Sequence, residues 1–563
     1  MSPRSEEGFA LLTDLSQVEQ PEIQRAATRV ETPTKKGGSR MDEDRRARGI
    51  LITALIWIGI IGGLFAAYRY WWAPRKAAQL EEETGSAAQY KHHVRFRLDS
   101  FSGYAVFRSS AMKKLLREQG IKLDLEDDKA DYTARMQALR DGKTDLAVFT
   151  IDSELKAGIL LGGEMPASVV MVIDQSKGAD GVVAYTSGLS KLEDLNSPDA
   201  RIVLTPNSPS EFLARIIVGQ LSLPRLPEKW YQEADGAEGV LKKLKAADSK
   251  AHVAYVLWEP QLSQALKVKG VTQLFGSNQC NNCVVDVLVA RRQFLAEQPD
   301  LVRSVIENYF RALYSYTSSS TGLADLLAED SKAFGAPLAA DELQRLVGGI
   351  EFKGVKDNYV HFGLDPAQQG VPAIEDIFER VGGILVSTSA VSSNPYKGQA
   401  NRLYYDATIR KLHEEGFHPG KKQEIVSGFG PGASELPQAH TAEELPALPD
   451  AEWAKLTPVG TARVPPIGFR RGTAEISDLS SADLDALAQQ LGSLSAYYIR
   501  VVGEARQEGD AAANAQLASE RATAVTAYLS SKGVGVSRLR SETAKASAGD
   551  AAEVSFVLLQ KNY

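Results

Sequence analysis

The chain has 563 residues, enough for about three or four folded units. Its 71 acidic and 64 basic residues leave a net charge of -7, without the concentrated basic field that a nucleic-acid binder needs. With 44% hydrophobic and 24% charged residues, the composition suits real cores and excludes a collagenous or wholly disordered chain. Two cysteines rule out a disulfide scaffold or a zinc site built mainly from thiolates. Seven scattered histidines offer little to a metal enzyme, and no nucleophile–base signature stands out. The reading is therefore a binding or structural protein, not an enzyme, with no cofactor and no nucleic-acid partner.

Residues 1–48 mix charge with Ser, Thr and Pro without periodicity and read as a flexible tail. Residues 49–68, GILITALIWIGIIGGLFAAY, carry no charge. At about 1.5 Å per residue, such a helix spans a hydrocarbon core of about 30 Å. Tyr68, Tyr70, Trp71 and Trp72 follow as an interfacial belt, which sets a transmembrane anchor at 49–72. Basic residues cluster before it, at Lys35, Lys36, Arg40, Arg45, Arg46 and Arg48. The positive-inside rule then puts the N-terminus in the cytoplasm and the bulk outside it, in the periplasm, with inner-membrane lipid as a partner. Residues 73–91 form a polar stalk.

From 92 to 418 strands and helices alternate, the mark of an α/β layered fold. VRFRLDS puts Val94, Phe96 and Leu98 on one face, and IKLDLED alternates again. Met112, Leu115 and Leu116 fall at helical spacing before Gly120, as do Tyr132, Met136 and Leu139 before Gly142. TDLAVFT and ASVVMVID are apolar runs suited to buried parallel strands. Residues 419–463 turn proline-rich and read as a linker or an ordered wrap. From 464 to 563 a compact α+β unit follows. Leu484, Leu487, Leu491 and Leu494 mark one helix, YYIRVVGEA a strand, Leu517, Val525 and Leu529 a second helix, and VSFVLLQ a last strand.

Phrases in the middle region come in a telling order: Ser102-Gly103-Tyr104, ARMQALRDGKTDLAVFT, VIDQSKGADGVVAY, SKLEDLNSPDARIVLTPNSPSEFLARII, VAYVLWEPQLSQAL and VVDVLVARRQFLAEQPDLVRSVIENYFRAL. Their succession resembles the extracytoplasmic substrate-binding proteins of nitrate, sulfonate and taurine type ABC importers. The resemblance implies two α/β lobes joined by crossing strands, with a small ligand held in the cleft and lobe closure by hinge motion.

Gly103 and Tyr104 occupy a strand-to-helix turn, where backbone amides and a phenol face a ligand or, equally, a tight turn packs Tyr104 as core. Ser208-Pro209-Ser210-Glu211 is a capping box. The same helix start would suit an anionic ligand at Ser208 and Ser210. Trp258 and Glu259 follow an apolar strand; Trp258 would stack on a planar ligand while Glu259 accepts from it, or the two pack and cap. Asp180-Gly181 reads as the crossing between lobes. Cys280 and Cys283 precede a strand, which speaks against a thioredoxin-like site, and outside the cytoplasm a local disulfide is the economical assignment.

In the C-terminal unit, Gly503, Gly509, Asn514, Leu517, Arg521 and Ala522 fall in the register of the OmpA-like peptidoglycan-binding domain. That family grips the diaminopimelate of the wall peptide with an aspartate and an arginine. The resemblance assigns the arginine to Arg521, with Asn514 nearby, whereas the aspartate position is Arg506, a charge reversal. Glu504, two residues away, would supply the missing carboxylate, or the unit keeps the fold for spacing or protein contacts. Two functions compete. One is a membrane-anchored solute receptor serving an ABC permease or another envelope complex, with peptidoglycan as a further partner. The other is a structural tether whose receptor-like domain has lost its ligand. An ion-driven stator is set aside, because 49–68 holds no ionisable group.

Overall fold

The structure is a computed structural model that describes residues 90–335, 337–368, 371–421, 445–505, 510–544 and 554–561. The expected tail, anchor and most of the stalk lie outside the described residues, as does Arg506. Among the described residues no helix is long and apolar enough to cross a membrane.

The chain builds one lobe, leaves it, builds a second, and returns. Strands β1 (His92–Leu98), β2 (Ile121–Asp127), β3 (Leu146–Thr150) and β4 (Ala167–Ser176) open lobe 1. β5 (Asp180–Tyr185), β6 (Arg201–Leu204), β7 (Tyr231–Glu233), β8 (Val253–Trp258) and β9 (Val271–Gly276) form lobe 2, in the order β7-β6-β8-β5-β9. β10 (Val285–Arg291) and β11 (Ile350–Phe352) complete lobe 1, in the order β11-β4-β10-β3-β1-β2. Residues 177–179 and 277–284 are the two crossings, so Asp180 is the first residue of lobe 2.

The residue pattern explains these elements. In β1, Val94, Phe96 and Leu98 are buried while Arg95 and Arg97 pair outward with Asp145 and Glu126. β3 and β4 are buried along their whole length, as strands covered on both faces must be. One expectation needs correction: β3 runs parallel to β1, but β10 lies between β3 and β4 and is antiparallel to both. The returning chain fills that slot. The helix Ser110–Glu118 buries Met112 and Leu116, with Ser109 as its N-cap accepting from the Met112 amide.

The C-terminal unit has its own sheet, in the order β12-β15-β13-β14. Here β13 (Tyr498–Glu504) and β14 (Leu539–Ala544) are parallel across the helix Ala511–Ser531, and β15 (Val554–Gln560) pairs antiparallel with β13. A Cβ at Gly503 would collide with the Ala518 carbonyl, so this glycine is what lets the helix sit on the sheet. Part of the expected linker belongs to this unit. β12 (Thr457–Thr461) pairs with β15, and Trp453 and Leu456 pack with Tyr498 and Leu559.

This unit is docked on lobe 2 and on the second crossing. The Ser222 amide donates to Thr461 O at 3.0 Å and the Arg463 amide to Gln220 O at 2.6 Å. Asn281 N donates to Ser493 O at 2.7 Å, and the rings of Phe275 and Tyr497 stack with an interplanar angle of 8°. Cys280 and Cys283 are disulfide-bonded within that crossing, Cα atoms 5.7 Å apart.

Candidate functional site between the lobes

Between the lobes lies a cavity of about 490 Å³. Its walls come from the carboxyl ends of strands, where open α/β sheets place their ligands. Lobe 1 contributes Asp99 after β1 and the loop 127–133 after β2; lobe 2 contributes Thr205-Pro206-Asn207 after β6, the segment 234–238 after β7, and Trp258 with Gln261 after β8. Phe334 closes one side.

Trp258, expected from the sequence, is on this wall. It is 5% exposed and its indole Nε1 has no hydrogen-bond partner among the described residues. The Thr205 hydroxyl and the Gln261 amide oxygen, on the same wall and equally buried, are unpartnered as well. A buried polar atom left without a partner costs free energy, so three of them on one cavity wall mark a place built for a ligand or water.

The other expected residues sit behind the wall. The Tyr104 hydroxyl donates to Asp286 Oδ1 at 2.5 Å, and burial first, then the Asp286 and Asp99 charges, push its pKa well up. Gly103 is packed where a Cβ would strike the Asp174 carboxylate and the Phe101 ring. Ser208 caps its helix, accepting from the Ser210 amide at 3.2 Å, and Ser210 is fully buried. Glu259 accepts from the Ser263 amide and hydroxyl at 3.0 and 2.7 Å, which caps the helix Gln261–Leu266.

The helix start that suited an anion already holds one. Glu211 Oε2 accepts from the Asn207 amide at 2.6 Å, while Oε1 pairs with Lys156 and Arg215. Burial pushes the Glu211 carboxyl up, but Lys156 and Arg215 outweigh it and hold it below the usual range. Behind the cavity, Asp174 and Asp286 face each other across β4 and β10. Burial, then neighbouring carboxylates, raises both pKa values, and burial also lifts Asp152 and Asp180 to about 7. The region behind the cavity thus gathers buried carboxyls whose pKa values are raised. Among the described residues no group of three or more His, Cys, Asp or Glu is placed to hold a metal ion.

Sequence reasoning missed the acidic loop 127–131 and the pair Asp235 and Glu238. Acidic loops are common on any surface, and only the fold brings these two together across the cleft.

In the C-terminal unit, Glu504 ends β13, and Asn514 and Arg521 lie two turns apart on the helix Ala511–Ser531. Arg521 Nε donates to Thr473 O at 3.1 Å and its guanidinium lies 4.8 Å from the Phe469 ring centroid. Asp510, not anticipated, caps that helix by accepting from the amides of Ala512 and Ala513.

Residues 468–554 match the OmpA family. No curated protein sequence matches the chain significantly. Among solved structures, the chain is similar to an alkanesulfonate-binding protein from Xanthomonas axonopodis pv. citri bound to MOPS, 13% identical over 56% of this chain and 99% of that one, TM-score 0.43. It is also similar to the ligand-binding component of an ABC-type import system from Staphylococcus aureus with zinc bound, 12% identical over 57% of this chain and 99% of that one, TM-score 0.42. A third is the periplasmic aliphatic sulphonate binding protein from Escherichia coli, 15% identical over 61% of this chain and 98% of that one, TM-score 0.41.

Proposed function

We propose that the chain is an envelope solute receptor, with a two-lobed binding domain and an OmpA-family module fixed to it. The observation that carries this reading is the interlobe cavity walled by strand ends of both lobes, whose lining residues Trp258, Thr205 and Gln261 carry buried, unpartnered polar atoms. The two crossings supply the hinge that lobe closure needs. Delivery to an ABC permease or another envelope complex, an anchor at 49–72 and contact with peptidoglycan belong to the same reading. Hydropathy of the sequence supports the anchor, and the OmpA-family match supports the wall contact.

One observation favours the tether. The lobes are tied by Lys156–Glu211 at 2.6 Å, by Lys267–Glu342 at 2.7 Å and by Arg345 donating to the Ser263 hydroxyl at 2.5 Å. Thermal melting of the full chain in detergent across a panel of small solutes separates the two. A solute that binds only the folded state stabilises it by about 2.7 kcal/mol at a hundredfold excess over Kd. At least one chemical class is expected to raise the melting temperature by several degrees. A panel flat in every class contradicts the receptor and leaves the tether.

A further inference from the structure

The charge on the cavity wall is one-sided. Asp99, Asp127, Asp128 and Asp131 come from lobe 1, and Asp235 and Glu238 from lobe 2. Lys129 is the one basic residue lining this cavity among the described residues. Arg135 stands behind the wall, fully buried, and is spent on Asp99 and Asp128. Lys242 and Lys245 line the neighbouring outer part of the cleft, beside Glu238. Asp127 accepts from the Lys129 amide at 2.8 Å, and Asp131 from the Ala134 amide at 2.9 Å, which fixes the loop. Asp235 and Glu238 have no ion-pair partner among the described residues.

Carboxylates alone do not make a site. Here they share the cavity lining with three residues that carry buried, unpartnered polar groups: the Gln261 oxygen and Thr205 hydroxyl can accept hydrogen bonds, and the Trp258 indole can donate one. Two aromatic side chains, Trp258 and the 40% exposed Phe334, share the wall. Aromatic faces attract cations as well as flat apolar groups. A cleft lined by one sign of charge also focuses the field on its interior. An anion would meet repulsion from both lobes and find its best helix terminus already filled by Glu211.

We infer that the cleft takes a small organic cation, an ammonium, amidinium or guanidinium attached to a compact flat or apolar body. This rests on the receptor reading above. Acceptors at Gln261 and Thr205 receive its N–H groups, Trp258 and Phe334 cover its body, and closure brings Asp235 and Glu238 toward the Asp127–Asp131 loop with the positive charge between them.

Two matched series of probes test it on the full chain by thermal melting: benzamidinium, benzamide and benzoate, and 1,4-diaminobutane, 1,4-butanediol and succinate. In at least one series the cation should bind roughly tenfold or more tightly than its neutral partner, with the anion inert, a preference that several close charges readily supply. High salt should erode that preference. The double variant Asp235→Asn, Glu238→Gln alters exposed positions and keeps the fold, and it should bring the cation-to-neutral ratio toward unity. If benzoate or succinate matches or exceeds its cation, the ligand class is wrong while the receptor reading stands. If all six probes leave the melting temperature unmoved, the cation class falls, and the wider solute panel above decides the receptor reading separately.

Discussion

Lys156 of lobe 1 and Glu211 of lobe 2 form an ion pair of 2.6 Å, with side chains only 10% and 5% exposed. It joins the lobes beneath the cleft, and Arg215 shares the same carboxylate oxygen at 2.7 Å. Breaking a buried pair commonly costs about 3–5 kcal/mol; with Arg215 still in place, Lys156→Met should cost roughly 2 kcal/mol. Denaturant unfolding checks this. An unchanged midpoint would mean that the pair does not hold the lobes together.

Stability should fall as the pH rises from about 4 to about 8. Burial first lifts Asp152 and Asp180 to about 7, and Glu154 to about 8, so the fold holds protons that the unfolded chain gives up near pH 4. Their contribution is complete below the unfolded values and is lost as pH passes through about 7 to 8. Melting temperature measured from pH 5 to pH 9 should therefore decline, and Glu154→Gln should flatten the decline. A rise over that range would contradict the assignment of these carboxyls as protonated.

The two domains should melt as one. Tyr497 is 1% exposed and stacks on Phe275 of lobe 2, so Tyr497→Ala removes a buried aromatic, a loss of about 3–5 kcal/mol by analogy with Phe→Ala changes. Calorimetry should show one transition in the native chain and two in the variant. Two transitions in the native chain would mean that this interface contributes little.

Wall contact turns on charge at position 506. If the proposed wall contact holds, an arginine at 506 would repel the ammonium of a wall peptide, so Arg506→Asp should strengthen pull-down on purified peptidoglycan. Unchanged or weaker pull-down would leave Arg521 as the whole case for wall contact, and its guanidinium already rests on Phe469 and Thr473.

Much of the fold was legible because burial writes itself into the sequence with the right period. β1 alternates, β3 and β4 are unbroken apolar runs, and the helices at 110–118 and 132–140 carry their stripes. In the C-terminal unit two strands were not legible. β14, LRSETA, has one buried residue and five polar or small ones, as an edge strand does. β12, TPVGT, carries proline and glycine in proline-rich surroundings, and its pairing with β15 depends on a partner about a hundred residues away.

The site was legible only at Trp258. Tyr104 also stands after a strand, but Gly103 lets Asp174 and Phe101 close over it, and its hydroxyl turns inward to Asp286. Nothing local distinguishes a phenol that faces a ligand from one that completes a buried acid network. The acidic lining was invisible for another reason: Asp127 to Asp131 and Asp235 to Glu238 are distant in sequence, and only lobe pairing makes them one surface.

Trp258→Ala should weaken any cleft ligand by about 1–3 kcal/mol, the scale measured for bases stacking on aromatics. Calorimetric titration of the folded variant checks this, and unchanged affinity would take Trp258 out of the site.

Hydrogen exchange of the full chain, with and without the tightest-binding probe, tests most directly whether ligand sits between the lobes. The account predicts added protection on both sides of the cleft together, at 127–133 in lobe 1 and at 205–207, 234–238 and 258 in lobe 2. Protection confined to one lobe, or appearing only in the C-terminal unit, would contradict it.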